Sequence, residues 1–211
     1  EARTGHLDRA LEYYGKTLKA DTTHIRARLN RCSIYMALDE GRKALDDAEI
    51  LLDLAPNFTL ARFRKAEAEM MLGEWTRARE DLDIVLEKAP HHHQALTQLA
   101  ACFIALERPE RAETPLNEAL RIAPNYAPAW HQRGLLYLEW GRNDNAMSDF
   151  EAAVKADSQH LDSRLHIAAM HHEAEQFDVA APAWREVLQI DPDHVVAKTR
   201  LDECEVKLMA Q

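Results

Sequence analysis

The 211-residue sequence has few of the residues that break helices and few that form disulfides. It contains only 6 glycines, 8 prolines and 3 cysteines. Scarce glycine and proline favour helices over the many turns of a β-sheet fold. Cys32, Cys102 and Cys204 are isolated in the sequence, which predicts buried free thiols in a reducing compartment. The cytoplasm is therefore the predicted location, and the periplasm and the ER lumen stay open.

Long apolar runs and positive net charge are also lacking. The longest apolar run is Leu99–Leu106, far short of the roughly 20 residues that span a bilayer, so no membrane insertion is predicted. The formal net charge is −10, which repels a phosphate backbone and argues against nucleic acid as a partner. No phosphate-binding glycine loop, nucleophile elbow or zinc-protease motif is present, so neither catalysis nor a cofactor is predicted.

The sequence does contain an internal repeat, and its period is that of a helical-pair array. Turn-forming tripeptides begin at equal intervals at Ala55, Ala89 and Ala123, and another begins at Asp191 on the same lattice. An alanine recurs at one position of every repeat: Ala10, Ala44, Ala78, Ala112, Ala146 and Ala180. A small residue at a fixed position lets two antiparallel helices approach closely. This 34-residue period therefore predicts an array of helical pairs.

One repeat carries a recognisable signature. Trp130, Gly134 and Tyr137, followed by Ala146 and Phe150, stand at spacings that closely resemble the tetratricopeptide repeat (TPR) signature. Other repeats depart from it, with Arg28, Arg62 and Arg164 at the tryptophan position. The resemblance implies an all-α fold, a right-handed superhelical solenoid of antiparallel helix pairs whose first helices line a concave groove.

The register divides the chain into one continuous solenoid domain. The predicted segments are a second helix of a truncated repeat at 1–24, complete repeats at 25–58, 59–92, 93–126, 127–160 and 161–194, and a capping helix at 195–211. Asp202 and Glu205 place charge where other repeats have small or apolar residues, which suits a cap. The N-terminal end has no such cap, and its helix lacks a partner helix of its own repeat, so we expect the natural protein to continue upstream.

Two prolines conflict with this register. Pro115 and Pro182 are predicted to fall well inside second helices, where proline removes a hydrogen bond. A local kink accommodated by packing is the expected result, and a functional bend is the alternative.

The predicted groove changes character along its length. Residues 1–92 carry 15 basic and 17 acidic side chains, whereas residues 93–211 carry 11 and 19. The N-terminal half is expected to bind an acidic or carboxylate end of a partner. The histidine-rich, acidic C-terminal half is expected to bind the partner's basic residues. The predicted groove residues are Arg26, Asn30, Phe63, Arg64, Glu67, Met70, Met71, Gln98, His131, Gln132 and His166.

Asn30 and Arg64 stand at matching positions of consecutive repeats. They resemble part of the carboxylate clamp with which chaperone-binding TPR domains hold a C-terminal carboxylate, because guanidinium binds carboxylate through two parallel hydrogen bonds. The clamp lysine is missing, since Leu60 occupies its place. The alternatives are a general peptide groove and a solvated surface. His131, His166 and Glu173 could form a metal site, but ordinary polar surface is the expected reading and no metal is predicted.

The leading interpretation is a protein-interaction scaffold or adaptor that binds a partner peptide or helix in its groove. Two alternatives remain. The chain is a recruiting or regulatory segment of a larger protein, such as a J-domain co-chaperone, a glycosyltransferase or a sulfotransferase, or it is an assembly scaffold that self-associates through its uncapped N-terminal end.

Overall fold

The computed structural model describes the backbone of residues 2–210 and the side chains of residues 6–210. This part of the chain contains twelve α-helices and no β-strand, which confirms the all-α fold class. The helices are α1 (Ala2–Ala20), α2 (Ile25–Ala37), α3 (Gly41–Leu54), α4 (Thr59–Met71), α5 (Trp75–Lys88), α6 (His93–Ala105), α7 (Glu113–Ile122), α8 (Ala127–Glu139), α9 (Asn143–Ala156), α10 (Leu161–Glu173), α11 (Phe177–Ile190) and α12 (Val195–Met209).

The helices follow the period of the sequence. The even-numbered helices from α2 to α10 each begin one period after the previous one, and α2, α4, α8 and α10 each pack against the odd-numbered helix that follows. The recurrent alanines from Ala44 to Ala180 are fully buried where the helices of a pair meet. A methyl group is the largest side chain that such a close approach admits. We therefore propose that the repeats derived from the sequence are the structural repeats.

The chain folds as two compact units. The first comprises residues 1–111 and the second residues 112–211. In the first unit, α2, α4 and α6 contact one another in sequence and α3 and α5 pack behind them. In the second unit, α10 packs against α9, α11 and α12. The boundary between the units lies just before α7, which is shorter than the other α-helices of the described chain.

This shortening corrects the prediction for Pro115. Residues Pro109–Arg111 form a short 3-10 helix, and α7 begins only at Glu113. Pro115 therefore lies in the first turn of α7, where a missing N–H removes no helical hydrogen bond. Pro182 lies inside α11, as predicted.

The turn within each helical pair uses a left-handed residue at one repeating position. The φ angles are +58° at Asp39, +74° at Gly73, +57° at Glu107, +69° at Gly141 and +57° at Glu175. This is the usual C-terminal stop of a helix, which favours glycine because glycine lacks a Cβ. Acidic residues fill the same turn in three repeats, so the surrounding hydrogen bonds impose the conformation on them.

Histidine is the N-cap residue of four helices. The ring Nδ1 atoms of His24, His92, His160 and His194 each accept a hydrogen bond from the backbone N–H three residues later, at 3.1 to 3.3 Å. Each satisfies a backbone donor that the first turn of a helix leaves unpaired. Part of the unusual histidine content is therefore structural.

Arginine replaces the signature tryptophan by making the same hydrogen bond. Trp130 donates from Nε1 to the carbonyl oxygen of Pro124 at 2.8 Å, six residues earlier. Arg28 donates to the carbonyl of Thr22 at 2.8 Å, and Arg164 to that of Ser158 at 3.0 Å. Both side chain types are long, flat donors that reach the preceding turn, so the degenerate repeats keep the same connection to that turn.

A buried aspartate holds the first pair of helices together. The Asp47 carboxylate on α3 accepts hydrogen bonds from Arg28 Nη1 at 2.9 Å, from Arg31 Nε at 2.8 Å and from Arg31 Nη2 at 2.7 Å. One repeat later, Asp81 accepts from Arg62 and Lys65 at 2.6 Å. Charged hydrogen bonds of this kind fix the register between a first and a second helix.

Candidate functional site

The first helices of the first unit form a continuous face. Along it, Asn30 on α2, Arg64 on α4 and Gln98 on α6 occupy the same position of three successive repeats. Asn30 is exposed, and Arg64 and Gln98 are half-buried. The matching positions in the second unit are Gln132 on α8 and His166 on α10, both half-buried. Polar side chains thus recur at each repeat on the predicted ligand face.

Arg64, Glu67 and Gln98 form one hydrogen-bonded network across α4 and α6. Arg64 Nη1 lies 2.6 Å from Glu67 Oε2, and Gln98 Nε2 donates to Glu67 Oε1 at 2.8 Å. Arg64 Nε and Gln98 Oε1 are buried and have no hydrogen-bond partner. The Glu67 carboxylate therefore lies against the guanidinium that the sequence assigned to a partner's carboxylate.

Asn30 is engaged elsewhere. Its Nδ2 donates to the hydroxyl of Tyr14 on α1 at 3.1 Å. Arg26, one turn before it, is exposed. Tyr14 is absent from the predicted groove residues. Its position on the helix that packs against α2 could have indicated this contact. Asn30 and Arg64 are thus each committed to a different internal partner.

Phe63 requires a correction. The sequence predicts that it contacts a partner, but its side chain is only 3% exposed and packs against His92, with the two rings tilted and their centroids 4.6 Å apart. Burial lowers the pKa of His92. Met70 is half-buried and Met71 is 38% exposed, so of these three apolar groove residues Met71 is the one most available to a ligand.

The predicted groove histidines of the second unit lie in a ring cluster. His131 lies 5.1 Å from His160 and 5.5 Å from His166, measured between ring centroids. His131 Nδ1 also lies 3.0 Å from the Ser163 hydroxyl. Burial, together with the neighbouring imidazoles, lowers the pKa of His131 to about 4. His131 is therefore neutral near pH 7 and acts there as a hydrogen-bonding group without charge.

The cluster packs on the core. Phe150 stacks on His166 with ring centroids 4.8 Å apart and an interplanar angle of 11°, and burial lowers the pKa of His166. Within the described side chains, no group of three histidine, cysteine or acidic residues is arranged to hold a metal ion. Stacking and hydrogen bonding account for the contacts that these rings make.

The three cysteines are buried free thiols, as predicted. Burial raises the pKa of Cys32 and Cys102 to about 12 and also raises that of Cys204. Cys204 Sγ lies 3.3 Å from His172 Nδ1, and His172 Nε2 lies 3.3 Å from Glu203. A fully buried thiol with a raised pKa is a poor nucleophile, since the thiolate is the reactive form.

A buried glutamate behind the face makes stability depend on pH. Glu69 has no exposed surface, Lys65 Nζ lies 3.1 Å from its Oε1, and its Oε2 has no hydrogen-bond partner. Burial raises the pKa of Glu69 to about 7. The fold therefore favours the neutral acid, and this contribution to stability is present below about pH 4.5 and is lost as the pH rises through 7.

Replacing Glu69 tests this pH dependence. Glu69→Gln is expected to raise the free energy of unfolding at pH 8.5 by about 2 kcal/mol relative to the native chain, and to change it little at pH 5. Urea unfolding monitored by circular dichroism at both pH values measures the effect. Glu49→Gln, on the exposed side of α3, is the control and should shift stability equally little at each pH. A gain of the same size at pH 5 would contradict the assignment to Glu69 ionisation.

No helix in the described part of the chain has the length and apolar character that crossing a membrane requires.

Residues 63–127 and residues 127–160 each match a family model described as tetratricopeptide repeat. No curated protein sequence matches the chain.

Solved structures share the fold. A thermophilic TPR protein of Thermus thermophilus has a TM-score of 0.74 at 23% identity, over 86% of this chain and 99% of that one. A tetratricopeptide repeat protein of Parabacteroides merdae reaches 0.79 at 24% identity, over 97% and 80%. YrrB, described as a TPR protein with an unusual peptide-binding site, reaches 0.58 at 20% identity, over 90% and 97%. At these identities the similarity is one of fold.

Proposed function

Since this chain belongs to the tetratricopeptide repeat proteins, matched by that family's models over residues 63–160, we propose that it binds a partner peptide or helix along its first-helix face and catalyses no reaction. Repeat arrays of this kind act as protein-interaction scaffolds because they present a long, partly exposed surface. The finer proposal concerns the face of α2, α4 and α6, where the partner would lie.

One observation carries the proposal. Polar side chains occupy the same position on three neighbouring helices, and the Arg64–Glu67–Gln98 network already holds the polar atoms of two of those helices in place. Prearranged polar groups lose little rotamer freedom when a ligand arrives, which lowers the cost of binding. Exposed Met71 adds an adaptable apolar contact beside them.

The chemistry of this face favours an acidic partner segment. Arg26 is exposed, and Arg64 gives one Nη atom to Glu67. We propose that an acidic side chain or C-terminal carboxylate of the partner lies beside these arginines and shares or replaces the Glu67 contact. Affinity for one short segment is expected to be about micromolar, roughly −8 kcal/mol.

Removing the polar pair tests the face. Peptides selected from a random display library on the full chain are expected to bind at least about tenfold more weakly to the Asn30→Ala, Arg64→Ala variant, because a charged hydrogen-bonding group is lost from the contact. Fluorescence anisotropy of the labelled peptides measures the loss. Circular dichroism at increasing temperature checks that the variant remains folded.

Arg42→Ala, Arg77→Ala is the matched control. Both arginines are exposed on the second helices α3 and α5 and make local ion pairs within their own helix or its first turn. Binding by this variant should equal that of the native chain. Unchanged affinity in the Asn30 and Arg64 variant, or equal loss in the control, would remove the first-helix face as the binding site.

A further inference from the structure

The second unit has a cleft that the proposed face does not include. It lies where the C-terminal end of α8 meets the first turn of α9 and the end of α10, with a volume of about 370 Å³. Leu138, Met147 and Met170 provide its apolar wall, and Asp144 and Glu173 are at its edge. The three apolar side chains are half-buried, whereas both carboxylates are exposed. A flexible apolar stem with a charged end matches this pattern.

The charge around this cleft is negative. Among the described side chains, neither Asp144 nor Glu173 forms an ion pair, whereas Arg133, Arg164 and Arg185 of the same unit are paired with Asp149, Glu186 and Glu205. Residues 112–211 carry 9 basic and 17 acidic side chains, so most of the chain's net charge of −10 belongs to this unit. The surroundings therefore attract a positive group.

The first unit contains a cleft at the equivalent place with a different lining. Its lining residues Thr76, Arg79, Leu106 and Arg108 lie two repeats before Asp144, Met147, Ala174 and Gln176 of the second cleft. Its volume is about 300 Å³. The same backbone geometry thus makes a cleft between successive pairs in both units, and the sequence lines one with arginines and the other with methionines and carboxylates.

We propose that the second-unit cleft binds the lysine or arginine side chain of a partner segment. The methylene stem lies along Met147 and Met170, and the cationic end lies beside Asp144 and Glu173. Methionine suits this role because its unbranched side chain adapts to a flexible stem. This proposal rests on the proposed function, since it assigns one side chain of the bound partner to a place on the scaffold.

Methyl NMR tests the cleft without any partner protein. The full chain is labelled with ¹³C at its methionine methyl groups, and the signals are assigned with Met147→Leu and Met170→Leu. The probe is Nα-acetyl-lysine methylamide, and its norleucine analogue has the same stem without the amine. The lysine probe is expected to shift the Met147 and Met170 signals saturably and to leave Met36 and Met209 unchanged. The norleucine analogue, and a glutamate analogue whose end carries the opposite charge, should shift them far less.

Charge removal identifies the groups that bind the amine. Asp144→Asn, Glu173→Gln is expected to weaken binding of the lysine probe about tenfold. Glu151→Gln, Asp178→Asn removes two exposed carboxylates from α9 and α11 and should leave the affinity unchanged. Equal shifts from lysine and norleucine, no saturable shift, or equal weakening in the control variant would each overturn the proposal.

The outcome is separable from that of the proposed function. If display peptides bind and depend on Arg64 while the lysine probe shifts neither methionine, the cleft assignment fails and the scaffold stands. If the probe binds at Asp144 and Glu173 while the Arg64 variant binds peptides normally, the cleft stands and the first-helix face fails.

Discussion

Asp47→Ala is expected to lower the free energy of unfolding by about 3 to 5 kcal/mol, one of the two largest effects that we expect from a single substitution in this chain. Asp47 is 2% exposed and accepts hydrogen bonds from both Arg28 and Arg31. Its removal leaves two guanidinium groups without their carboxylate, and Arg28 itself is only 6% exposed. Urea unfolding followed by circular dichroism measures the loss.

The neighbouring aspartate is a matched control. Asp46 is exposed and faces Arg42 at 3.4 Å on the same helix, so Asp46→Ala should change stability by less than about 0.5 kcal/mol. A loss below about 1 kcal/mol for Asp47→Ala would mean that both arginines find water or other acceptors after a small movement. That result would contradict the role of Asp47 in fixing the first helical pair.

Phe150→Ala is expected to cost about 3 to 5 kcal/mol, since it empties a fully buried position of the second unit. A Cβ placed on Gly134 would lie 2.6 Å from Phe150 Cε1. Gly134→Ala alone should therefore destabilise the chain by about 1 to 3 kcal/mol, because the ring has to move within a close-packed core. Unfolding in urea gives both values.

Combining the two changes tests the contact itself. In Gly134→Ala, Phe150→Ala the new methyl group enters space that the ring has left, so the cost should be at least about 1 kcal/mol smaller than the sum of the single effects. The two variants that lack the Phe150 ring should also raise the pKa of His131 and His166 toward ordinary values, because loss of that ring admits water. Additive losses with unchanged histidine titration would show that Gly134 and Phe150 are not coupled.

The candidate site was only partly accessible to sequence reasoning. The 34-residue period places Asn30, Arg64 and Gln98 at one position of successive repeats, and the structure has them on neighbouring first helices. Periodicity could not show that Glu67 lies against Arg64, because that contact depends on rotamers chosen among several staggered alternatives. Nor could it show that the Phe63 ring packs against His92, since His92 belongs to the turn before α6 and approaches Phe63 only when successive helical pairs pack together.

The cleft proposed for lysine or arginine was missed for a related reason. Its lining residues come from the ends of three helices. Its three apolar side chains each belong to a different helix, so no sequence motif contains two of them. Met147 and Met170 each look like ordinary half-buried positions of an amphipathic helix. The repeat does offer a signal in the sequence. Thr76 and Asp144 occupy one repeat position and Arg79 and Met147 another, and in both pairs the charge differs between the two repeats.

Sequence reasoning was sufficient for the all-α class, for the burial of the cysteines and for that of the recurrent alanines from Ala44 to Ala180. These properties follow from the composition and from the 34-residue period. Both are visible in the sequence of every repeat, so no knowledge of long-range contacts is needed. Packing of the folded chain was needed to show that histidines cap four helices, that arginine replaces tryptophan at the preceding turn, and that Pro115 lies in a first turn. Each of those outcomes depends on which donor, acceptor or ring another part of the chain brings within reach, and packing sets those distances.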